Sequence, residues 1–124
     1  MNGKEILVDT NILIKLLAGD ETLTAFLQGQ LVFISFITEL EMYGLKNPTP
    51  EYIIQRKSLL EDCFLIPLNP DIQNQYIKIR QQTNLKLADA IIAATALSLK
   101  MPLISGDGTF TSVNQINFMH YESN

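Results

Sequence analysis

Cysteine and histidine are nearly absent from this chain, with one of each, Cys63 and His120, in 124 residues. A lone cysteine cannot close an internal disulfide, and the apolar neighbours Phe64 and Leu65 predict a buried thiol in a reducing compartment. His120 falls near the carboxyl end, in a predicted edge strand, and reads as a surface residue. Basic residues are also scarce: nine Lys and Arg stand against thirteen Asp and Glu, for a net charge of -4 and a pI near 4.8. They are spread thinly, at Lys46, at Arg56 and Lys57, and at Lys78, Arg80 and Lys86. That balance excludes a broad basic face for nucleic acid. It leaves room for acids gathered around divalent cations, which present a positive site once the metal is bound. The polar segment Met1 to Glu5 and the interruption of the next apolar stretch by Asp9 predict neither a signal peptide nor a membrane span, hence a cytoplasmic protein. Repeats, linkers and low-complexity tracts are absent.

With 47% apolar and 18% charged residues, the chain can close one core, and residues 1–124 are expected to form a single domain. The stretch from Ile6 to Leu17 sets the pattern. Ile6 to Val8 reads as a buried strand, and from Ile12 onward only Lys15 breaks an apolar helix. Between them stand Asp9, Thr10 and Asn11. Glu21 to Gln28 predicts a short helix ended by Gly29, and Leu31 to Phe36 a second strand. Thr38 to Glu41 has the form of a capping box that would open a helix ending near Gly44. Thr49-Pro50 and Asn69-Pro70 each place a cap before a proline at a first helical position, for helices to about Asp62 and Gln82. Phe64 to Ile66 forms a third strand between them. Leu87 to Lys100 is apolar on so many sides that it must be largely buried. Pro102 to Ser105 gives a fourth strand and Ile116 to Tyr121 a fifth at the edge. Alternating strands and helices imply an α/β fold with a mostly parallel sheet and helices on both faces.

Four acids recur at equivalent places: Asp9 after the first strand, Glu41 after the second, Asp89 at the start of the buried helix, and Asp107 after the fourth strand. In a parallel sheet all strand carboxyl ends share one edge, where such folds bind ligands. Each acid also has a local reason to be there. Asp9 suits an N-cap, Glu41 would complete a box with Thr38, Asp89 would complement a helix dipole or pair with Lys86, and Asp107 would shape a glycine turn. Convergence changes the balance, because two like charges about 4 Å apart repel by about 4 kcal/mol at an effective dielectric of 20. Carboxylates without His or Cys partners suit Mg²⁺ or Mn²⁺ rather than zinc. Paired divalent ions held this way are a recurring solution for phosphodiester hydrolysis.

Val8-Asp9-Thr10-Asn11, Thr38-Glu39-Leu40-Glu41 before Gly44, Leu87-Ala88-Asp89 through Ala96, and Leu103-Ile104-Ser105-Gly106-Asp107-Gly108-Thr109-Phe110 together resemble the PIN domain, especially the VapC-type toxins of prokaryotic toxin–antitoxin pairs. The resemblance covers almost the whole chain, and its third motif is the most specific. It implies a three-layer α/β/α domain with a sheet of four or five strands, acting as a Mg²⁺- or Mn²⁺-dependent endoribonuclease. By position, Asp9, Glu41, Asp89 and Asp107 match the family's acidic quartet as metal ligands and catalytic groups. Thr10 and Asn11 match its polar pair, and Ser105 a supporting hydroxyl. The second motif has acids at both Glu39 and Glu41, and the assignment of Glu41 over Glu39 rests on Thr38 and the capping register. The resemblance also implies a homodimer, a silencing antitoxin, and structured RNA of the tRNA or ribosomal class as substrate. Phe26, Met42, Tyr43 and Leu45 exceed what one small core needs and supply an apolar surface for such partners.

Two other readings remain. A non-catalytic PIN-fold module would keep the fold as an RNA or protein platform. An aspartate-nucleophile phosphatase would need a second Asp two residues after Asp9, where this chain has Asn11.

Overall fold

The computed structural model describes residues 3–122. Five strands run in the order Glu5–Val8 (β1), Leu31–Ser35 (β2), Phe64–Ile66 (β3), Leu103–Ser105 (β4) and Phe118–His120 (β5). They form one all-parallel sheet ordered β3-β2-β1-β4-β5. Six helices connect them: Thr10–Leu17 (α1), Glu21–Leu27 (α2), Phe36–Tyr43 (α3), Pro50–Glu61 (α4), Pro70–Gln82 (α5) and Leu87–Leu99 (α6). The period-2 alternation of strand side chains divides the core in two. Ile6, Val8, Ile34 and Ile104 face α1, α2 and α4, whereas Leu7 and Leu103 face α5 and α6. This is the three-layer α/β/α arrangement expected, with β1 at its centre.

Local signals account for most boundaries. Thr49 and Asn69 cap α4 and α5 ahead of Pro50 and Pro70, their side chains accepting from the N–H groups of Tyr52 (3.1 Å) and Ile72 (2.8 Å). Gly19, at φ +90°, makes the turn between α1 and α2 that an L side chain would strain. In α6 every residue from Ala90 to Ala96 is buried. Its buried Thr95 is tolerated because the hydroxyl donates to the Ile91 carbonyl at 2.8 Å. Cys63 is half-buried: burial, with Asp62 adding to it, pushes its thiol up to about 11, and Sγ donates to the Leu59 carbonyl. His120 is exposed on β5 as expected. No helix among the described residues is long and apolar enough to cross a membrane.

Two expectations need correction. The helix after β2 does not begin at a Thr38 cap. It begins at Phe36, with Ser35 as N-cap accepting from the Ile37 N–H at 3.2 Å, because Ser35 ends β2 in an extended conformation with its hydroxyl free. Thr38 and Met42, four residues apart, then share the buried face of α3. Met42 is therefore fully buried and belongs to the core, not to an apolar surface, while Phe26, Tyr43 and Leu45 are exposed.

A short 3-10 turn, Gly108–Ser112, follows β4, and the sequence pattern did not predict it. Phe110 anchors it, fully buried with its ring 5.8 Å from that of Phe118. Phe110→Ala is expected to cost about 3 to 5 kcal/mol in urea unfolding, since the site lies within a continuous core. A loss below about 1 kcal/mol would show that the turn does not depend on this anchor.

Candidate active site

Asp9 immediately follows β1 and is the N-cap of α1, its Oδ1 accepting from the Ile12 N–H at 3.0 Å. It is only 3% exposed. Its Oδ2 accepts from the hydroxyl of Ser105, at the end of the adjacent strand β4. Ser105 Oγ in turn accepts from the Asp107 N–H at 2.9 Å, so the hydroxyl proton is committed to Asp9. One buried serine thus ties together the segments that carry two of the acids.

Glu41 comes from α3, which crosses the carboxyl edge of the sheet: Met42 packs into one core layer and Ile37 against the other. Thr10 Oγ1 stands 2.5 Å from Glu41 Oε1 and 3.2 Å from Thr38 Oγ1. A carboxylate only accepts, so the Thr10 proton goes to Glu41 and the Thr38 hydroxyl is left to donate to Thr10. Thr38 is therefore part of the support for Glu41, although not as a cap. Glu39 lines neither of the clefts around these acids.

Asp89 is the third residue of α6 and half-buried. Among the described residues no hydrogen-bond donor serves its carboxylate. Burial pushes it above its ordinary value of 3.8, and the charges of Asp107, Asp9 and Glu41 push it further in that order, with Lys86 pulling it back. Burial likewise raises Asp9, against the hydrogen bonds from Ser105 and Ile12, while Asp107 adds to the rise and Lys15 opposes it. Asp107 caps the 3-10 turn, accepting from the Thr109 N–H at 2.9 Å.

The four predicted acids therefore share one electrostatic neighbourhood. Asp9, Glu41 and Asp89 line a cleft of about 250 Å³ together with Thr10 and Asn11, and Asp89 and Asp107 line an adjoining one of about 460 Å³. Among the described residues no three Asp, Glu, His or Cys side chains are gathered closely enough to form a finished metal cage. Two observations still fit a divalent cation. The donors are all carboxylate or hydroxyl oxygens, as hard ions require, and Asp89 is a partly desolvated anion without a donor, facing three others.

Sequence reasoning passed over Lys15 as a functional residue. It is the single charge interrupting the apolar run of α1, which was its signal, and it partly offsets the charge of Asp9 from 5.2 Å above the Tyr121 ring.

Comparison with known proteins places this parallel α/β sheet with acids at its carboxyl edge in a class. The PIN domain family profile matches residues 6–115, and the chain belongs to that family. A toxin-antitoxin complex from Klebsiella pneumoniae is similar at 31% identity and TM-score 0.77, covering 95% of this chain and 99% of that one. VapBC2 from Rickettsia felis, bound to a DNA fragment from its promoter, shares the fold at TM-score 0.85 and 15% identity, with 95% and 99% covered. VapC20 from Mycobacterium tuberculosis, a toxin cleaving the sarcin-ricin loop, shares it at TM-score 0.70 and 17% identity, with 90% and 97% covered. No curated protein matches the chain.

The raised Asp89 value has a direct consequence for the metal-free protein. The folded state holds a proton there that the unfolded chain has released above pH 3.8, so Asp89's stabilising contribution is present below that pH and lost as pH climbs through the folded value. Urea unfolding in EDTA should show Asp89→Asn gaining on the wild type as pH rises from 3.8 toward neutrality. A difference that stays constant across that range would rule out a raised Asp89 carboxyl.

Proposed function

We propose that the chain is a Mg²⁺- or Mn²⁺-dependent endoribonuclease, acting in the cytoplasm as the toxin of a toxin–antitoxin pair, with residues 1–124 forming one nuclease domain. The observation that carries this reading is Asp89, an unpartnered and partly desolvated carboxylate set among Asp9, Glu41 and Asp107. Asp9, Glu41 and Asp89 would hold the cation, with Asp107 helping a second ion or the attacking water. When bound, such an ion neutralises charge on the phosphate and makes water a better nucleophile near neutral pH.

The chain's own residues supply orientation. Ser105 and the Ile12 N–H fix both oxygens of Asp9, and Thr10 fixes Glu41. Asn11, exposed beside them, offers an amide to the scissile phosphate. Loss of groups that orient metal ligands typically costs 10- to 100-fold. Ser105→Ala should therefore lower cleavage of total RNA by about that factor, and Asp9→Asn or Asp89→Asn by more than about a hundredfold, with activity abolished by EDTA. Mn²⁺ should raise the melting temperature of the wild type and move that of Asp89→Asn less, the gain amounting to roughly 2.7 kcal/mol at a hundredfold excess over Kd. Wild-type cleavage rates in EDTA or in Asp89→Asn would falsify the assignment.

The antitoxin and dimer readings draw on the relatives and on the surface. Ile14 and Leu45 are exposed at the rim of the acid-lined cleft, with Phe26 and Tyr43 also exposed. An apolar antitoxin segment lying there would be positioned to place an Arg or Lys among the acids. The chain alone, at 14.0 kDa, should scatter light as a pair at tens of micromolar. A strict monomer would remove the homodimer.

A further inference from the structure

Two clefts meet at Asp89 and differ in chemistry. The acid-lined one continues past Asp9, Thr10, Asn11 and Glu41 to the apolar side chains of Ile14 and Leu45 and is lined by no Lys or Arg among the described residues. The larger one, about 460 Å³, continues past Asp89 and Asp107 to Asn84, Lys86 and Thr109. Its size is that of pockets that take small organic groups. In a strand cut internally the phosphate over Asp89 has a neighbour on each side, and the two clefts offer those neighbours different chemistry. Both clefts carry carboxylates, but the acid-lined one, with no Lys or Arg and an apolar rim, offers no charge to hold the neighbour on its side.

The Asp107 side offers free donors. Lys86 is exposed and forms no ion pair among the described residues, so its ammonium is available. Thr111 and Ser112, also in this wall, spend their hydroxyl protons on the carbonyls of Gly108 (2.7 Å) and Thr109 (2.8 Å) and keep only acceptor capacity, which does not suit a phosphate. The Asn84 amide and the Thr109 hydroxyl have no partner among the described residues and retain their protons.

Building on the nuclease reading above, we propose that the cleft on the Asp107 side of Asp89 seats the nucleotide adjoining the cut bond, with Lys86 on its phosphate and Asn84 and Thr109 as uncharged donors beside it. Lys86 is then a positioning residue for substrate, and the strand is held by charge on one side of the cut.

The test uses full-length protein carrying Asp9→Asn, so that RNA is bound without being cut, and a fluorescein-labelled single-stranded RNA of mixed sequence. Adding Lys86→Ala should weaken binding about tenfold, the scale of one charge-assisted hydrogen bond, and reduce the slope of log K against log salt by about one phosphate contact. Lys57→Ala, which removes the same charge from α4 outside both clefts, should change neither. In the protein with Asp9 intact, Lys86→Ala should raise KM by more than it lowers kcat, as expected for lost ground-state binding. Equal affinity and salt slope for Lys86→Ala and Lys57→Ala, in a protein that binds and cuts RNA, would overturn this subsite and leave the nuclease reading intact. Absence of RNA binding and of cleavage in the wild type would overturn both.

Discussion

Repulsion among carboxylates at a partly dry sheet edge is the constraint around which the rest of this molecule is arranged. Burial first, and then the charges of Asp107, Asp9 and Glu41, hold Asp89 above its ordinary value. The fold answers by giving three of the four acids donors. Asp9 accepts from Ile12 and Ser105, Glu41 from Thr10, and Asp107 from the Thr109 N–H. Hydrogen bonds to charged groups contribute about 1.5 to 3 kcal/mol each, enough to hold such carboxylates in place. Asp89 alone is left without a donor among the described residues.

Parallel topology is what brings these residues together across the chain. β1 lies centrally, so Asp9 has β4 and its Ser105-Gly106-Asp107 segment on one side and β2, leading into α3 and Glu41, on the other. Asp89 arrives by a different geometry. A helix that leads into a parallel strand runs antiparallel to it, so the amino end of α6 lies at the same edge as the carboxyl end of β4. The buried, alanine-rich body of α6 then fixes that end rigidly against β1 and β4 through Leu7 and Leu103.

Much of this was legible in the sequence, for physical reasons. Cap-and-proline pairs at Thr49-Pro50 and Asn69-Pro70 fixed two helix starts because they use local chemistry alone. Parallel strands show as short apolar runs, and all five were found, with Ile116 to Tyr121 shortened to Phe118–His120. The start of α3 was misread because Ser35 and Thr38 are both competent caps, and local sequence cannot say which hydroxyl tertiary structure will claim. Thr38 was claimed by Thr10, 28 residues away. Met42 was misplaced because counting apolar residues does not say which face of α3 packs inward, and Met42 shares the buried face with Thr38. The 3-10 turn was invisible because five residues carry no periodicity, and its anchor Phe110 is a long-range contact. For the candidate site, the acids were visible as residues after strands, but the Asp107–Ser105–Asp9 hydrogen-bond chain is not a spacing and could only be seen in three dimensions.

Capping and ligand binding compete as explanations for Asp9 and Asp107 only when each acid is considered by itself. A carboxylate has two oxygens, and a cap uses one. In Asp107 the capping bond from Thr109 leaves the second oxygen uncommitted, and in Asp9 the cap holds one oxygen while Ser105 holds the other. The cap is thus how the backbone sets the direction of the acid, and the two roles are cooperative. Asp89 completes the contrast. As the third residue of α6 it sits near unsatisfied N–H groups whose partial positive charge favours an anion by about 0.3 to 1 kcal/mol. Lys86, the N-cap of that helix, supplies no side-chain bond to the turn, and its charge draws Asp89 back toward ionisation. The helix end and Lys86 are small terms beside burial and three neighbouring acids, so the carboxylate stays raised. An anion held by weak, delocalised attraction in place of a directed bond keeps both oxygens free to meet a cation.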